Sequence, residues 1–184
     1  MRPGDVVQPG EPVTLPDSGT SVTYVQMPDE LCEAYLKANP SGDCIEEVIT
    51  TVTTEQVRTP ISMAATTNAG AVHCKTWKQI RQPTGSPKIW QFGHDGKFCY
   101  DNSVAWYNTY RGTAGYHNCG YNSGFLYSVT IQACKRSGDR TSQVRFNVNG
   151  NVAVFVKGFP VHYTFMPYVT GSRYGTVTMF YDYH

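Results

Sequence analysis

Q-V-R-F-N-V-N-G-N-V-A-V-F-V-K-G-F, residues Gln143–Phe159, is the stretch on which the reading of the fold turns. Apolar residues alternate with polar ones along its first half, the period of a strand rather than a helix. Asn149-Gly150 reads as a two-residue hairpin turn, because both residues accept positive φ. That turn pairs Val148 with Asn151, Phe146 with Ala153 and Val144 with Phe155, which gathers Val144, Phe146, Val148, Ala153 and Phe155 on one buried face. The other face carries Arg145 and Asn147 on the first strand but Val152, Val154 and Val156 on the second. A strand apolar on both faces belongs inside a sheet, so Val152–Phe159 is expected to be central.

Further strands are expected on either side of this hairpin, at Val72–Ile80, Lys88–Phe92, Lys97–Tyr100, Val104–Tyr110, Phe125–Cys134, Val161–Met166 and Tyr174–Tyr183. Asp95-Gly96 is a second hairpin candidate. Many short strands with tight turns and no helix predict a basic β-sandwich domain over residues 72–184. The fold class expected for the whole chain is mainly β: an antiparallel β-sandwich, or a partly closed barrel, with one short N-terminal helix.

Residues 1–20 hold Pro3, Pro9, Pro12 and Pro16 with three glycines and read as an extended, exposed arm. Residues 21–55 form an acidic helix–strand segment. Thr20–Met27 reads as a strand with Val22 and Tyr24 on one face, and Glu47–Thr54 as another. Between them Asp29 is placed to cap a helix over Glu30–Ala38, with Leu31 and Tyr35, and Cys32 and Leu36, at the four-residue spacing of one face. Residues 56–71 are small, polar and weakly patterned, and read as a linker or processing site.

The chain has 184 residues, 40% hydrophobic and 16% charged, with 13 Tyr, 8 Phe and 3 Trp, which argues against disorder. No apolar run reaches the about 18 residues a membrane-spanning helix needs. The net charge of +1 conceals a division. Residues 1–69 hold ten acids against three bases, a net −7, and residues 70–184 hold twelve bases against four acids, a net +8. The acidic segment is therefore expected to pack on the basic domain, as a retained subdomain or as a pro-region.

Six cysteines without a Cys-x-x-Cys pair argue against a zinc ribbon or thioredoxin-type site and for a disulfide framework in a secreted, extracellular protein. Their pairing is open among 15 combinations. Cys32–Cys44, which staples the helix to the next strand, is favoured, and Cys74–Cys99 with Cys119–Cys134 is the local solution for the rest.

No catalytic residue, metal site or cofactor is assigned. Asp95 is explained by its turn, and Asp95 with Asp101 makes a poor paired-carboxylate site. His73, His94, His117 and His162 fall on separate elements without metal-ligand spacing and read as polar strand-end residues. Gly120-Tyr121-Asn122-Ser123-Gly124 lacks the spacing of a nucleophile elbow. The candidate binding residues are instead the aromatic excess and the tight basic pair: Trp90, Trp106, Tyr110, Tyr116, Tyr121, Lys135 and Arg136. Bases scattered without a recognition motif argue against nucleic acid.

The segments W-K-Q-I (Trp77–Ile80), K-F-C-Y-D (Lys97–Asp101) and Y-R-G-T-A-G-Y-H-N-C-G (Tyr110–Gly120), with the Cys134 strand, resemble small exported disulfide-bonded β proteins of actinobacteria that carry no assigned activity. A small β protein with an extended arm also resembles the bridging subunit of umbrella toxin particles, which links a lectin-like subunit to a scaffold chain. That resemblance implies that residues 1–20 dock a protein partner by strand addition. Three functions are thus expected in order: a secreted non-catalytic adaptor in an extracellular assembly, a hydrolase or toxin zymogen with residues 1–69 as pro-region, and a binding module for carbohydrate or an anionic cell-wall polymer.

Overall fold

The computed structural model describes residues 6–57, 71–84, 90–124, 127–156 and 159–181. In chain order the elements are β1 (Val6–Val7), β2 (Pro12–Thr14), β3 (Gly19–Gln26), α1 (Asp29–Ala38), β4 (Ile45–Gln56), β5 (His73–Pro83) and β6 (Trp90–Tyr100). They continue with β7 (Ala105–Trp106), β8 (Tyr116–Gly124), β9 (Tyr127–Ser137), β10 (Gln143–Val156), β11 (Phe159–Phe165), β12 (Tyr168–Ser172) and β13 (Val177–Phe180). A seven-stranded sheet runs β1-β3-β4-β5-β6-β7 with β8 also on β6. A six-stranded sheet runs β11-β10-β12-β13-β2 with β9 also on β10. Among the described residues the fold is mainly β and sandwich-like with one helix, as expected, and the sheets do not close into a barrel.

Both expected hairpin turns are strand interiors. β10 passes straight through Asn149-Gly150, and β6 passes through Asp95-Gly96. Neither Gly96 nor Gly150 has positive φ. Each glycine instead makes room for an aromatic ring: a Cβ on Gly150 would lie 2.7 Å from Phe165, and one on Gly96 would lie 2.6 Å from Trp77. The inward face of β10 is therefore the unbroken series Val144, Phe146, Val148, Gly150 and Val152, all buried. Central placement holds, since β10 bonds β9 along one side and β11 and β12 along the other.

Two other expectations change in detail. Asp29 is the first helical residue of α1 rather than its cap, with Pro28 in the capping position. Tyr116–Gly124 and Tyr168–Ser172 are strands that the expected set leaves out.

The N-terminal segment is extended but joined to its own chain. Val6 and Val7 pair in parallel with Tyr24 and Val25, and β2 pairs antiparallel with β13. Leu15 is buried, and its amide donates to the Val177 carbonyl. The charge boundary likewise falls across paired strands: β4 and β5 run antiparallel from Glu46–Pro83 to Gln56–His73. Acid meets base there in the pairs Asp17–Lys75, Glu46–Arg81 and Glu55–Lys97. The expected linker of residues 56–71 lies outside the described residues over 58–70.

Apolar residues form two main clusters between the sheets. One holds Val48, Val52, Trp77, Phe98, Val144 and Phe146; the other holds Leu31, Tyr35, Trp90, Phe92, Val148 and Val152, beneath α1. All three expected disulfides form: Cys32–Cys44, Cys74–Cys99 and Cys119–Cys134. Cys74 and Cys99 sit directly opposite each other on β5 and β6.

Candidate functional site on the outer face of the second sheet

Because side chains alternate along β10, burying its Val144–Val152 series sends Arg145, Asn147, Asn149 and Asn151 to the opposite face. Register then lines up a row across the sheet. Asn147 is opposite Lys135 on one side and Tyr168 on the other, Tyr168 is opposite Phe180, and Phe180 is opposite Pro12. The Tyr168 and Phe180 rings stack with centroids 4.3 Å apart and 12° between planes. The Arg145 guanidinium lies 3.5 Å from the Tyr168 ring centroid, a cation held on an aromatic platform.

Beside this platform is a cavity of about 160 Å³ lined by Ala133, Lys135, Asn147, Asn149 and Met166. The Asn149 side-chain oxygen is buried and has no hydrogen-bond partner among the described residues. A buried amide oxygen left without a donor is costly unless water or a ligand supplies one. The local cause is a bulge: Asn149 faces Ala133 and Gly150 faces Ile131, so Gln132 is an extra residue on β9.

Positive charge gathers on and around the same sheet. Arg136 lies over Tyr107 at 4.8 Å, Arg140 over Tyr110 at 5.1 Å and Arg173 over Tyr174 at 4.8 Å. Arg140 has Asp139 at 3.7 Å, whereas Lys135, Arg136, Arg145 and Arg173 have no carboxylate partner among the described residues. Asp139 is partly occupied elsewhere: burial raises its pKa, but the Asn108 and Tyr107 amides and Arg140 outweigh that and hold it below the usual range.

The expected binding residues are divided by this geometry. Trp90 is buried in the cluster under α1, and Trp106 is buried in a cluster with Val72, Cys74 and Cys99, so neither offers a ring to a ligand. Tyr110 packs edge-on against Trp106 at 5.1 Å. Tyr116 is exposed on β8, a strand of the first sheet. Lys135 lines the cavity, and Arg136 stands on the adjacent position of β9. The side chain of Tyr121 lies outside the described residues. Sequence reading does not single out Arg145, Asn147, Asn149, Tyr168 or Phe180 as binding residues. The signal for them is the N-V-N-G-N run itself, read as one strand instead of a turn.

A second constellation lies between the sheets. His94 is a mid-strand residue of β6 rather than a strand-end one, His117 lies at the start of β8, and the two strands bring them together, with His94 Nδ1 3.1 Å from His117 Nε2. His94 Nε2 is 2.7 Å from the Gln79 side-chain oxygen, and the Gln79 amide nitrogen donates to Met179 Sδ at 3.0 Å. Cys119 and Cys134 Sγ each approach His117 at 3.4 Å. Burial, then His117 and Arg81, pushes the His94 pKa well below 6.5. Burial also lowers His117 to about 4, against a backbone bond to Lys135 that opposes it. Both rings are therefore neutral at neutral pH.

The expected turn role of Asp95 also changes, since Asp95 is a buried mid-strand residue that accepts from Asn118 at 3.3 Å. Asp101 shapes a turn by accepting the Ser103 and Val104 amides and pairing with Arg111. No family model, curated protein or solved structure matches this chain.

Proposed function

We propose that this is an extracellular, non-catalytic binding protein whose second sheet takes an anionic polymer of the cell wall, an acidic glycan above all. The observation that carries this reading is the Arg145–Tyr168–Phe180 stack beside the cavity of Lys135, Asn147 and Asn149. The aromatic pair holds the Arg145 cation in place on the sheet face, the amides supply paired donors and acceptors, and the cations without carboxylate partners supply charge for an acid. Three disulfides and the lack of a long apolar helix among the described residues are compatible with export.

This reading keeps the binding role and moves the contact surface. Residues 6–20 are engaged within their own chain, which argues for the outer sheet face over the arm as the surface of recognition. Retention of the purified protein on insoluble cell wall, with and without its anionic polymers, tests the proposal. Retention should fall steeply with added salt and be lost when the anionic polymers are extracted. Arg145→Ala and Asn149→Ala should each weaken it by at least about tenfold, the size of one lost ligand contact. Equal retention on extracted wall, or unchanged retention of both variants, overturns it.

A further inference from the structure

We propose that reduction of Cys119–Cys134 opens a site for a thiophilic divalent cation, with zinc the best fit, formed by His94, His117 and Cys119. Formation of the disulfide closes it. One ring nitrogen of His94, one of His117 and Cys119 Sγ all lie within 4.8 Å of one another. Two of the three edges are already short, 3.1 Å between the nitrogens and 3.4 Å between His117 Nε2 and Cys119 Sγ. Tetrahedral zinc with ordinary Zn–N and Zn–S bond lengths requires edges of about 3.3 Å and about 3.6 Å.

The hydrogen bonds around the pair prepare His94 as a ligand. Gln79 donates its amide to Met179, which directs its oxygen at His94 Nε2. That nitrogen must then carry the ring hydrogen, leaving a lone pair on Nδ1 aimed at His117. An imidazole whose second nitrogen donates to a carbonyl oxygen is the usual outer support of a metal-bound histidine. The backbone contributes as well. Gly93 faces Tyr121 and Asp95 faces Asn118, so β8 carries an extra residue opposite His94, which brings Cys119 against the pair.

In the disulfide, Cys119 Sγ is covalently occupied and carries no thiolate charge. A dithiol reductant supplies two electrons and two protons, yielding two cysteine thiols while becoming a disulfide itself. Cation binding then displaces the proton from Cys119, and the thiolate with two neutral imidazoles makes three ligands. Cys134 Sγ faces the other ring nitrogen of His117, so the fourth position is left to water or to a rotated Cys134. The bond is accessible to reductant because Cys134 is exposed, whereas Cys74–Cys99 is buried.

Cys134→Ser tests this without any reductant, since it leaves Cys119 as a free thiol. The full-length variant should bind one zinc, read by native mass spectrometry and by competition with a chromophoric chelator. Cys119→Ser, and Cys134→Ser combined with His117→Ala, should bind at least about tenfold more weakly. Oxidised wild-type protein should bind none. Cobalt in place of zinc should give a thiolate-to-metal charge-transfer band in Cys134→Ser and in the reduced wild-type chain. Should Cys134→Ser fail to fold, the reduced wild-type chain decides. Absence of the cobalt band, equal zinc affinity in Cys119→Ser, or stoichiometric zinc on the oxidised protein overturns the proposal.

Discussion

The Arg81 guanidinium and the Glu46 carboxylate meet between the two sheets, with about 2% of either side chain exposed. Nε of Arg81 also donates to the same carboxylate at 3.1 Å. A charge buried this deeply relies on its partner, because removing one member leaves the other desolvated. Glu46→Ala should therefore cost about 3 to 5 kcal/mol of unfolding free energy, read by urea denaturation. The double variant Glu46→Leu with Arg81→Met should recover much of that loss. A single variant of wild-type stability would mean that Arg81 is compensated by other groups.

The histidine pair makes stability depend on pH. Unfolded histidine titrates near 6.5, whereas folded His117 titrates at about 4 and His94 well below its ordinary value. Between these values the unfolded chain binds the proton and the folded chain does not. Stability is therefore present above pH 6.5 and declines as pH falls, by up to about 1.4 kcal/mol per pH unit for His117, with His94 acting in the same direction. For His117 the loss levels off near pH 4, after roughly 3 kcal/mol in all. Chemical denaturation at pH 7, 5.5 and 4.5 should show this slope, and His117→Gln should flatten it. A midpoint unchanged over that range would contradict the assignment.

The N-terminal segment should prove structural. Leu15 is buried in the larger cluster, and Val7 and Val13 pack against it. Leu15→Ala should lower stability by about 2 to 5 kcal/mol, the range for truncating a buried leucine. Deleting residues 1–17 should cost more, because it also uncovers the edge of β13. Thermal unfolding decides it: a melting temperature untouched by the deletion would mean that β2 contributes nothing.

Gly150 separates two accounts of β10. If it served a turn, a side chain there would be costly through positive φ. In the observed strand the cost comes from the Phe165 ring and the Thr130 carbonyl, at 2.7 and 3.2 Å from a modest Cβ. Gly150→Ala should destabilise by about 1 to 3 kcal/mol, and Phe165→Leu should relieve part of it in the double variant. Additive effects of the two substitutions would point away from the ring contact.

What was legible in the sequence follows from the range of each signal. Alternation identifies most strands, and short spacings identify the disulfides, because both are local. Asn149-Gly150 and Asp95-Gly96 mislead because glycine serves two different needs. Positive φ is a local property, whereas clearance for Phe165 or Trp77 depends on a partner elsewhere in the chain. Tyr116–Gly124, polar and glycine-rich, reads as loop until β6 offers it hydrogen bonds. With that strand unread, His117 could not be placed beside His94. Trp90 and Trp106 show the same limit: an aromatic residue on a strand declares its bulk but not which face the sheet will cover.

The pairing of β2 with β13 joins the second strand to the thirteenth among the described residues. The second sheet cannot gain its outermost strand until Val177–Phe180 is available, so this closure comes late in the order of assembly. Contacts this distant in sequence slow folding, because a large loop must be ordered before they form. Without Val177–Phe180 the edge of β12 has no neighbour on that side. Until Val177–Phe180 has been made, Leu15 and the strand before it have nothing to join, so the N-terminal segment is held back from the core while the strands between are already able to pair.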